Sequence, residues 1–141
     1  MLDFNTKFGR YAMKHIKSEY FVWMTTVDST GTPQPRPVWF IWEDDAFLVY
    51  SQANAFKLKH IQKNPNVSLH FNSSDEKGEK RLIIVTGTAK IDKKCPPSDK
   101  HRAYMRKYKK GMIELNFTPK QFADDYSVAI RVTPTKLRGA E

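Results

Sequence analysis

Two segments specify the fold of this chain: Gly31-Thr-Pro-Gln-Pro-Arg-Pro-Val-Trp-Phe40 and Val49-Tyr-Ser-Gln52. The region around them predicts strands at Phe21–Val27, Pro35–Trp42 and Phe47–Ser51, a short basic helix at Asn54–Asn64 and a fourth strand at Val67–Phe71. The junction between the third strand and the helix places Ser51, Gln52 and Lys57 beside the unpaired N–H groups of a helix start. Because such N–H groups attract anions, and a lysine there favours a negative partner, the junction predicts a bound phosphate.

The rest of the sequence adds helices and long strands to this region. Further elements are predicted as a helix at Phe4–Tyr20, a polar loop at Asn72–Lys80, a long strand at Leu82–Ile91, a basic helix from Pro96 to about Lys110, a short helix opened by Thr118-Pro119 and a final strand at Tyr126–Lys136. Gly87, inside the long strand, predicts a bulge or a close approach. Because strands dominate and follow one another, we expect a single domain over residues 1–141, mainly β with flanking helices. Its predicted core is a six-stranded antiparallel barrel, not a doubly wound parallel sheet.

The second predicted strand is apolar on both faces, which is unusual for an antiparallel sheet. Val38 and Phe40 alternate with Pro37 and Trp39 along it, and Pro35 and Pro37 lack the N–H that a central strand would need. We therefore interpret the strand as an edge that forms the wall of a site between two subunits. The alternative is that a helix of the same subunit covers its second face.

Arg36 stands at the head of this apolar strand. Its planar guanidinium suits a phosphate or a carboxylate, and with Ser51 and Lys57 it would form a three-point phosphate clamp. The alternative is a surface ion pair of Arg36 with one of the acidic residues at Glu43-Asp-Asp45.

The chain is strongly basic, with 24 Lys and Arg against 15 Asp and Glu and a formal charge of +9. Such an excess attracts anionic partners, whether nucleic acid, anionic lipid or a phosphorylated small molecule, although it can also serve solubility alone. The basic helix at 100–110 has the same ambiguity: it could contact nucleic acid, form a solvated face or attract an acidic tail of a cofactor.

Several function classes lack their signatures. Cys95 is the single cysteine, and His15, His60, His70 and His101 have no metal-ligand spacing, so we expect neither a disulfide nor a metal site. No nucleophile elbow, P-loop or dinucleotide fingerprint is present, and we name no catalytic residue. The sequence has no apolar run of about 20 residues and no secretory signal. We therefore expect a cytoplasmic protein that binds no membrane.

The order and spacing of these motifs resemble the pyridoxamine 5′-phosphate oxidase-like proteins, which have a split β-barrel fold of the FMN-binding type. The resemblance rests on Trp23-Met-Thr-Thr-Val27, Gly31, Pro35-Arg-Pro-Val-Trp-Phe40, Tyr50-Ser-Gln52, Lys57 and Asn64-Pro-Asn-Val67. The ending, with Thr118-Pro-Lys-Gln-Phe122 and Tyr126-Ser-Val-Ala-Ile-Arg-Val-Thr-Pro134, resembles the branch that uses the deazaflavin coenzyme F-420.

This resemblance implies a homodimer with two cofactor sites at its interface. It implies that Arg36, Ser51 and Lys57 meet the cofactor phosphate. The residues implied to contact or adjoin the ring system are Pro37, Val38, Trp39, Phe40, Tyr50 and Gln52. Members of the family bind FMN or F-420, and a few bind haem. The chain has no tryptophan after Trp42, so the substrate-phosphate site of the true oxidases is not expected.

Three functions follow as hypotheses. The first is an oxidoreductase that transfers a hydride between F-420 (alternatively FMN) and a small organic substrate. The second is a non-catalytic protein that binds the same cofactors or haem. The third is a nucleic-acid-binding barrel, which we regard as the weakest, so we expect no nucleic-acid partner.

Overall fold

A computed structural model describes residues 2–72 and 82–140 of the chain. In order these form α1 (Lys7–Ser18), β1 (Phe21–Val27), β2 (Pro33–Trp39), β3 (Ile41–Glu43), β4 (Ala46–Ser51), α2 (Phe56–Lys63), β5 (Asn66–His70), β6 (Leu82–Ile91), α3 (Arg102–Glu114), α4 (Pro119–Asp125) and β7 (Val128–Ala140). A short 3-10 turn at Ser98–Lys100 precedes α3. Apart from Asn72, the predicted polar loop at 72–80 lies outside the described residues.

Antiparallel pairings join the strands into one sheet with the order β2-β1-β5-β6-β7-β4-β3. The sheet curls so that its edge strand β2 approaches β4. The predicted fold class is therefore confirmed: mainly β with flanking helices, and a curled antiparallel sheet consistent with a split barrel. The sheet has seven strands, not six. The extra strand arises because the predicted strand Pro35–Trp42 is divided into β2 and β3, which lie at opposite edges of the sheet.

The division occurs at Phe40, whose backbone is held by two side chains of α3. The Phe40 N–H donates to the Tyr108 hydroxyl at 2.8 Å, and that hydroxyl lies 2.8 Å from the Phe40 carbonyl oxygen. Lys107 Nζ donates to the carbonyls of Phe40 (2.9 Å) and Glu19 (2.7 Å) and lies 4.0 Å above the Phe40 ring. Because side chains satisfy both backbone groups of Phe40, sheet pairing ends at Trp39 and the chain crosses to the other edge.

Apolar clusters lie on both faces of the sheet, and β4 separates them. Phe47 and Val49 belong to the cluster that α1 and α2 cover. Leu48 and Tyr50 belong to the cluster formed with α3 and α4. All six residues of β4 are buried, as expected for a strand covered on both faces. Tyr50, at the end of β4, is thereby directed toward the side of the sheet that carries α3 and α4.

Two backbone predictions on the strands are confirmed. The exposed Pro33, Pro35 and Pro37 lie in β2, which is an edge strand of the sheet. The pairing of β6 with β7 shifts register between Thr86 and Gly87. A Cβ atom on Gly87 would lie 2.7 Å from the carbonyl oxygen of Thr133, so this close crossing requires glycine.

The helix starts differ from prediction in two places. The helix expected from Phe4 begins at Lys7, because the side chain of Thr6 caps it. The helix expected from Asn54 begins at Phe56, with Ala55 as its N-cap residue. The cap of α4 by Thr118 is confirmed as a capping box. In the described part of the chain, no helix combines the length and apolar character needed to cross a bilayer.

Candidate cofactor site

A cavity of about 840 Å³ opens where β2 approaches β4, between residues of α2 and residues of the α3–α4 region. Its lining divides into two parts of different chemistry. The polar end carries side chains from β1, β2 and α2, with Arg36 and Lys57 as its cations. The aromatic wall carries rings from β2, β4 and the segment around α4. A volume of this size is typical of sites for cofactors and drug-sized ligands.

Arg36 and Lys57 reach the polar end from two different elements. Arg36 lies in β2, and its guanidinium donates a hydrogen bond to the carbonyl of Pro35 at 2.7 Å. Lys57 lies in the first turn of α2 and is half-buried. Burial and the nearby charge of Arg36 lower the pKa of Lys57. Neither cation forms an ion pair with a carboxylate among residues 2–72 and 82–140, although the carboxylate of Asp28 also lines this end of the cavity.

The start of α2 adds to this positive character. Its N-cap residue, Ala55, offers no side-chain hydrogen bond, and its first turn contains no acidic residue. Unpaired N–H groups of a helix start carry partial positive charge and favour an anion. The helix dipole and Lys57 therefore act on a ligand in the same sense.

Two side-chain pairs complete the polar end. Thr26 Oγ1 of β1 lies 2.8 Å from Nδ1 of His60 in α2. The side-chain amide of Gln34 donates to Asp28 at 3.0 Å. Asp28 also accepts from Thr30 and Thr32, and these hydrogen bonds lower its pKa to about 2. Oδ1 of Asp28 accepts from Thr30 and Thr32 and Oδ2 accepts from Gln34, so Asp28 holds the β1–β2 turn together.

The aromatic wall is built around Trp39. The indole stacks on Tyr108, with ring centroids 4.5 Å apart, and on Phe122, at 5.4 Å. Phe122 stacks in turn on Tyr126 at 4.5 Å. The other aromatic residues that line the cavity are Tyr50, Phe56, Tyr104 and Phe117. This wall is suited to an apolar planar group, whereas the polar end is suited to an anion.

Most of the residues predicted from the sequence are brought together here. The predicted residues that line the cavity are Arg36, Pro37, Val38, Trp39, Tyr50, Gln52 and Lys57. Phe40 and Ser51 do not line it. Phe40 is fully buried in the core, and Ser51, 1% exposed, donates its hydroxyl to the carbonyl of Gln52 at 3.0 Å. The three-point clamp thus has two of its members, Arg36 and Lys57, at the cavity.

The alternative for Arg36, an ion pair with the acidic turn, is wrong. Glu43 pairs with Arg131 at 3.1 Å and with His101 at 2.9 Å. Among the residues that the structure describes, no ion pair of Arg36 is found.

The interpretation of the second strand is corrected in part. Trp39, at its end, is covered by α3 and α4 of the same subunit through Tyr108 and Phe122, as the alternative expected. The segment Pro33–Pro37 remains largely exposed along the edge of the sheet.

Part of the predicted basic helix, α3, is structural. On α3, Tyr104, Tyr108 and Met112 face the core, and Lys107 holds the Phe40 backbone. The remaining basic residues of this region are exposed: Lys100, Arg102, Arg106, Lys109 and Lys110.

Sequence reasoning missed several residues of the cavity. Thr26 and His60 are not predicted, because their contact joins β1 to α2 and His60 has no metal-ligand spacing. The spacing of His60, three residues after Lys57, puts the two on one helical face and could have pointed to it. Phe117, Phe122 and Tyr126 had no such signal, since only the tertiary fold brings α4 to β2. In the described ranges, no group of three or more potential metal-ligating side chains is found.

The comparisons with known proteins fit this geometry. The sequence matches the family model of pyridoxamine 5′-phosphate oxidase over residues 12–140. It matches no curated protein at a significant level.

Solved structures share the fold at low sequence identity. An F420 reductase superposes with a TM-score of 0.66 at 22% identity, over 89% of this chain and 94% of that one. A FAD-binding protein from Mesorhizobium loti gives a TM-score of 0.69 at 13% identity, over 92% and 90%. The heme storage protein of Vibrio cholerae gives 0.59 at 15% identity, over 89% and 90%.

These structural neighbours differ in what their names say they bind, so they establish the shared fold and leave the ligand of this chain open. The family model, in contrast, spans nearly the whole sequence, residues 12–140. The chain belongs to the pyridoxamine 5′-phosphate oxidase family.

Proposed function

We propose that this protein binds a phosphorylated flavin-type cofactor and acts as an oxidoreductase on a small organic substrate. The observation that carries the proposal is the pair Arg36 and Lys57, two cations that face one cavity without a carboxylate partner in the described residues. A phosphate there would relieve the mutual repulsion of the two cations and accept charge-assisted hydrogen bonds from both.

The aromatic wall would hold the ring system of the same ligand. Trp39 is held by stacking contacts with Tyr108 and Phe122 and so presents a rigid surface. The bound cofactor would supply the hydride chemistry, while the protein positions the reactants and excludes water. We assign no side chain as an acid or a base in that reaction.

F-420 is our preferred cofactor, with FMN as the alternative. The exposed cations of α3 and the net charge of +9 suit the acidic tail of F-420, which FMN lacks. The resemblance of Tyr126-Ser-Val-Ala-Ile-Arg-Val-Thr-Pro134 to the F-420 branch supports the same choice. One structural neighbour is named as an F420 reductase.

We further propose a homodimer in which the partner closes the cavity. Phe56 and Leu115 line the cavity, yet 75% and 59% of their surfaces are exposed. Large apolar side chains at a cavity mouth are typical of interfaces. The exposed edge of β2 lies beside them and offers a second contact.

The proposal is tested by binding followed by turnover. Purified protein is titrated with F-420, FMN and haemin, and then the reduced cofactor is mixed with a panel of quinones and enones. We expect tight binding of F-420 or FMN and oxidation by at least one substrate. Binding without any oxidation would favour the non-catalytic carrier. Affinity for haemin alone would overturn the proposal, as would affinity for nucleic acid alone that falls steeply with salt.

A further inference from the structure

His60 is a polar residue of the cavity that has no part in the phosphate site proposed for Arg36 and Lys57. It lies three residues after Lys57 on α2, so the two side chains share one face of that helix. Both line the cavity, together with Thr26 of β1. The Thr26 hydroxyl lies 2.8 Å from Nδ1 of His60 and thereby fixes the imidazole ring against the sheet.

The hydrogen-bond chemistry of Thr26 decides which nitrogen of a neutral His60 carries the proton. Thr26 is 3% exposed, and its hydroxyl has no other hydrogen-bond partner among the described residues. A buried hydroxyl proton needs an acceptor, and Nδ1 is the acceptor at hand. Thr26 therefore donates to Nδ1, which leaves the ring proton on Nε2.

Nε2 of His60 then has a proton to donate and no acceptor among the residues that the structure describes. The carboxylate of the cavity, Asp28, accepts from Thr30, Thr32 and Gln34 and makes no hydrogen bond to His60 in the described part of the chain. The other charged groups that line the cavity, Arg36 and Lys57, are donors themselves. An acceptor for the donors of Arg36, Lys57 and His60 at the polar end would therefore have to come from a bound ligand.

We propose that His60 donates its Nε2 proton to the same phosphate that Arg36 and Lys57 bind, with Thr26 as the positioning residue. This assigns the anion site a third donor in the place where the sequence suggested Ser51. The inference rests on the proposed function, because it presupposes that a phosphorylated cofactor occupies the cavity.

The first experiment compares each cofactor with its phosphate-free form. Calorimetry measures FMN against riboflavin, and F-420 against its unphosphorylated deazaflavin chromophore, for wild type, His60→Ala and His60→Gln. Lys59→Ala, an exposed neighbour on α2, is the matched control. We expect His60→Ala to weaken the phosphorylated forms about tenfold or more and the phosphate-free forms less than about twofold. His60→Gln, which keeps a donor, is expected to recover part of the loss.

Equal losses for the phosphorylated and phosphate-free forms would place His60 at the ring and overturn the inference. Unchanged binding by His60→Ala would also overturn the inference. In that case, tight binding of a phosphorylated cofactor by wild type would still support the proposed function. If wild type bound none of the phosphorylated cofactors, the proposed function would fail first. The two failures are therefore distinguishable.

A second experiment addresses Thr26 by a readout that folding alone does not move. Nitrogen-15 NMR of the His60 ring is recorded for wild type, Thr26→Ser and Thr26→Val. We expect the Nε2-protonated pattern in wild type and Thr26→Ser, and a mixture of tautomers in Thr26→Val, with weaker FMN or F-420 binding. The Nδ1-protonated pattern in wild type would contradict the assignment.

Discussion

Trp39 in β2 lies nearly parallel to Tyr108 in α3, with ring centroids 4.5 Å apart and planes inclined by 8°. The same tyrosine hydrogen-bonds the backbone of Phe40, the next residue after Trp39. One residue of α3 therefore supports the aromatic wall and also ends the strand that carries it. The geometry of the cavity and the division of the sheet have a common cause.

Replacing Trp39 tests the aromatic wall. We expect Trp39→Ala to lower the free energy of unfolding by about 2–3 kcal/mol, less than for a fully buried tryptophan because the ring is partly exposed. The visible spectrum and affinity of bound cofactor should also change, since its ring loses a contact. Trp39→Phe should preserve most of both. Identical spectra for wild type and Trp39→Ala would remove Trp39 from the ring site.

Replacing Lys57 tests the cations of the polar end. Lys57→Ala removes a charge-assisted hydrogen bond to phosphate, and we expect a loss of about 1.5–3 kcal/mol of binding free energy, or roughly 10- to 150-fold in Kd. Lys59→Ala serves as the control of equal charge change on the exposed face of α2. An equal effect of both variants would indicate that only net charge matters.

Removing the charge of Lys57 has the opposite expected effect on the stability of the unliganded protein. Burial and Arg36 lower the pKa of Lys57, so its charged form is disfavoured in the fold. Lys57→Met should therefore leave the free energy of unfolding unchanged or raise it. Marked destabilisation in urea would mean that Lys57 is structural, contrary to this account.

Tyr108→Phe tests the link between α3 and the end of β2. The variant removes the hydroxyl that accepts from the buried Phe40 N–H, and an unsatisfied buried N–H costs about 1–3 kcal/mol. Chemical denaturation would show this as a lower midpoint at an unchanged slope. Tyr126→Phe, whose hydroxyl has no hydrogen bond to the described residues, is the control. Equal stability of Tyr108→Phe and wild type would argue against a role of this bond at the split.

Lys107 predicts a pH dependence of stability. Burial lowers its pKa to about 8 from an ordinary 10.5. Between these values the unfolded chain binds a proton that the folded chain has lost, so the contribution of Lys107 to the free energy of unfolding rises with pH across this window. Because the side chain is partly exposed, we expect a rise of only about 1 kcal/mol.

The measurement is the difference in unfolding free energy between wild type and Lys107→Met at several pH values from about 7 to 10. Contributions of the buried tyrosines are common to both proteins and cancel. The wild type should gain on the variant as the pH rises. A difference that stays constant, or moves the other way, would show that the ammonium group is not disfavoured in the fold.

The proposed dimer is tested at the cavity mouth. Phe56 is 75% exposed, so Phe56→Glu should leave the subunit folded and shift sedimentation from dimer to monomer, with weaker cofactor binding. Lys63→Glu, on an exposed position of the same helix, is the matched control. Monomeric wild-type protein at micromolar concentration would rule out the dimer as proposed.

Much of the fold was predictable because it depends on local pattern. Alternation in β1 and β6, the prolines of β2 and the Thr118-Pro119 start of α4 each specify their element without reference to the rest of the chain. The division at Phe40 was not predictable. It depends on Tyr108 and Lys107, about 67 residues further along the chain, whose side chains replace the sheet pairing of one residue.

Only part of the candidate site was predictable from local sequence. Arg36 and Lys57 have a charge that their apolar or helical context does not explain, and this marked them in the sequence. Ser51 was predicted from its position just before the start of α2. Its hydroxyl instead donates to the carbonyl of Gln52, a local hydrogen bond that the sequence does not reveal. Phe122 and Tyr126 reach the cavity only through the packing of α4 on Trp39.

The proposal that Arg36 and Lys57 bind the phosphate of a flavin-type cofactor underlies all the others. It is tested by a calorimetric titration of wild type and of the double variant Arg36→Ala/Lys57→Ala with F-420 and with FMN. We expect wild type to bind at least one of them, and the double variant to lose most of this affinity while remaining folded by circular dichroism. Equal affinity of the two proteins, or no heat from wild type with either cofactor, would refute the proposal.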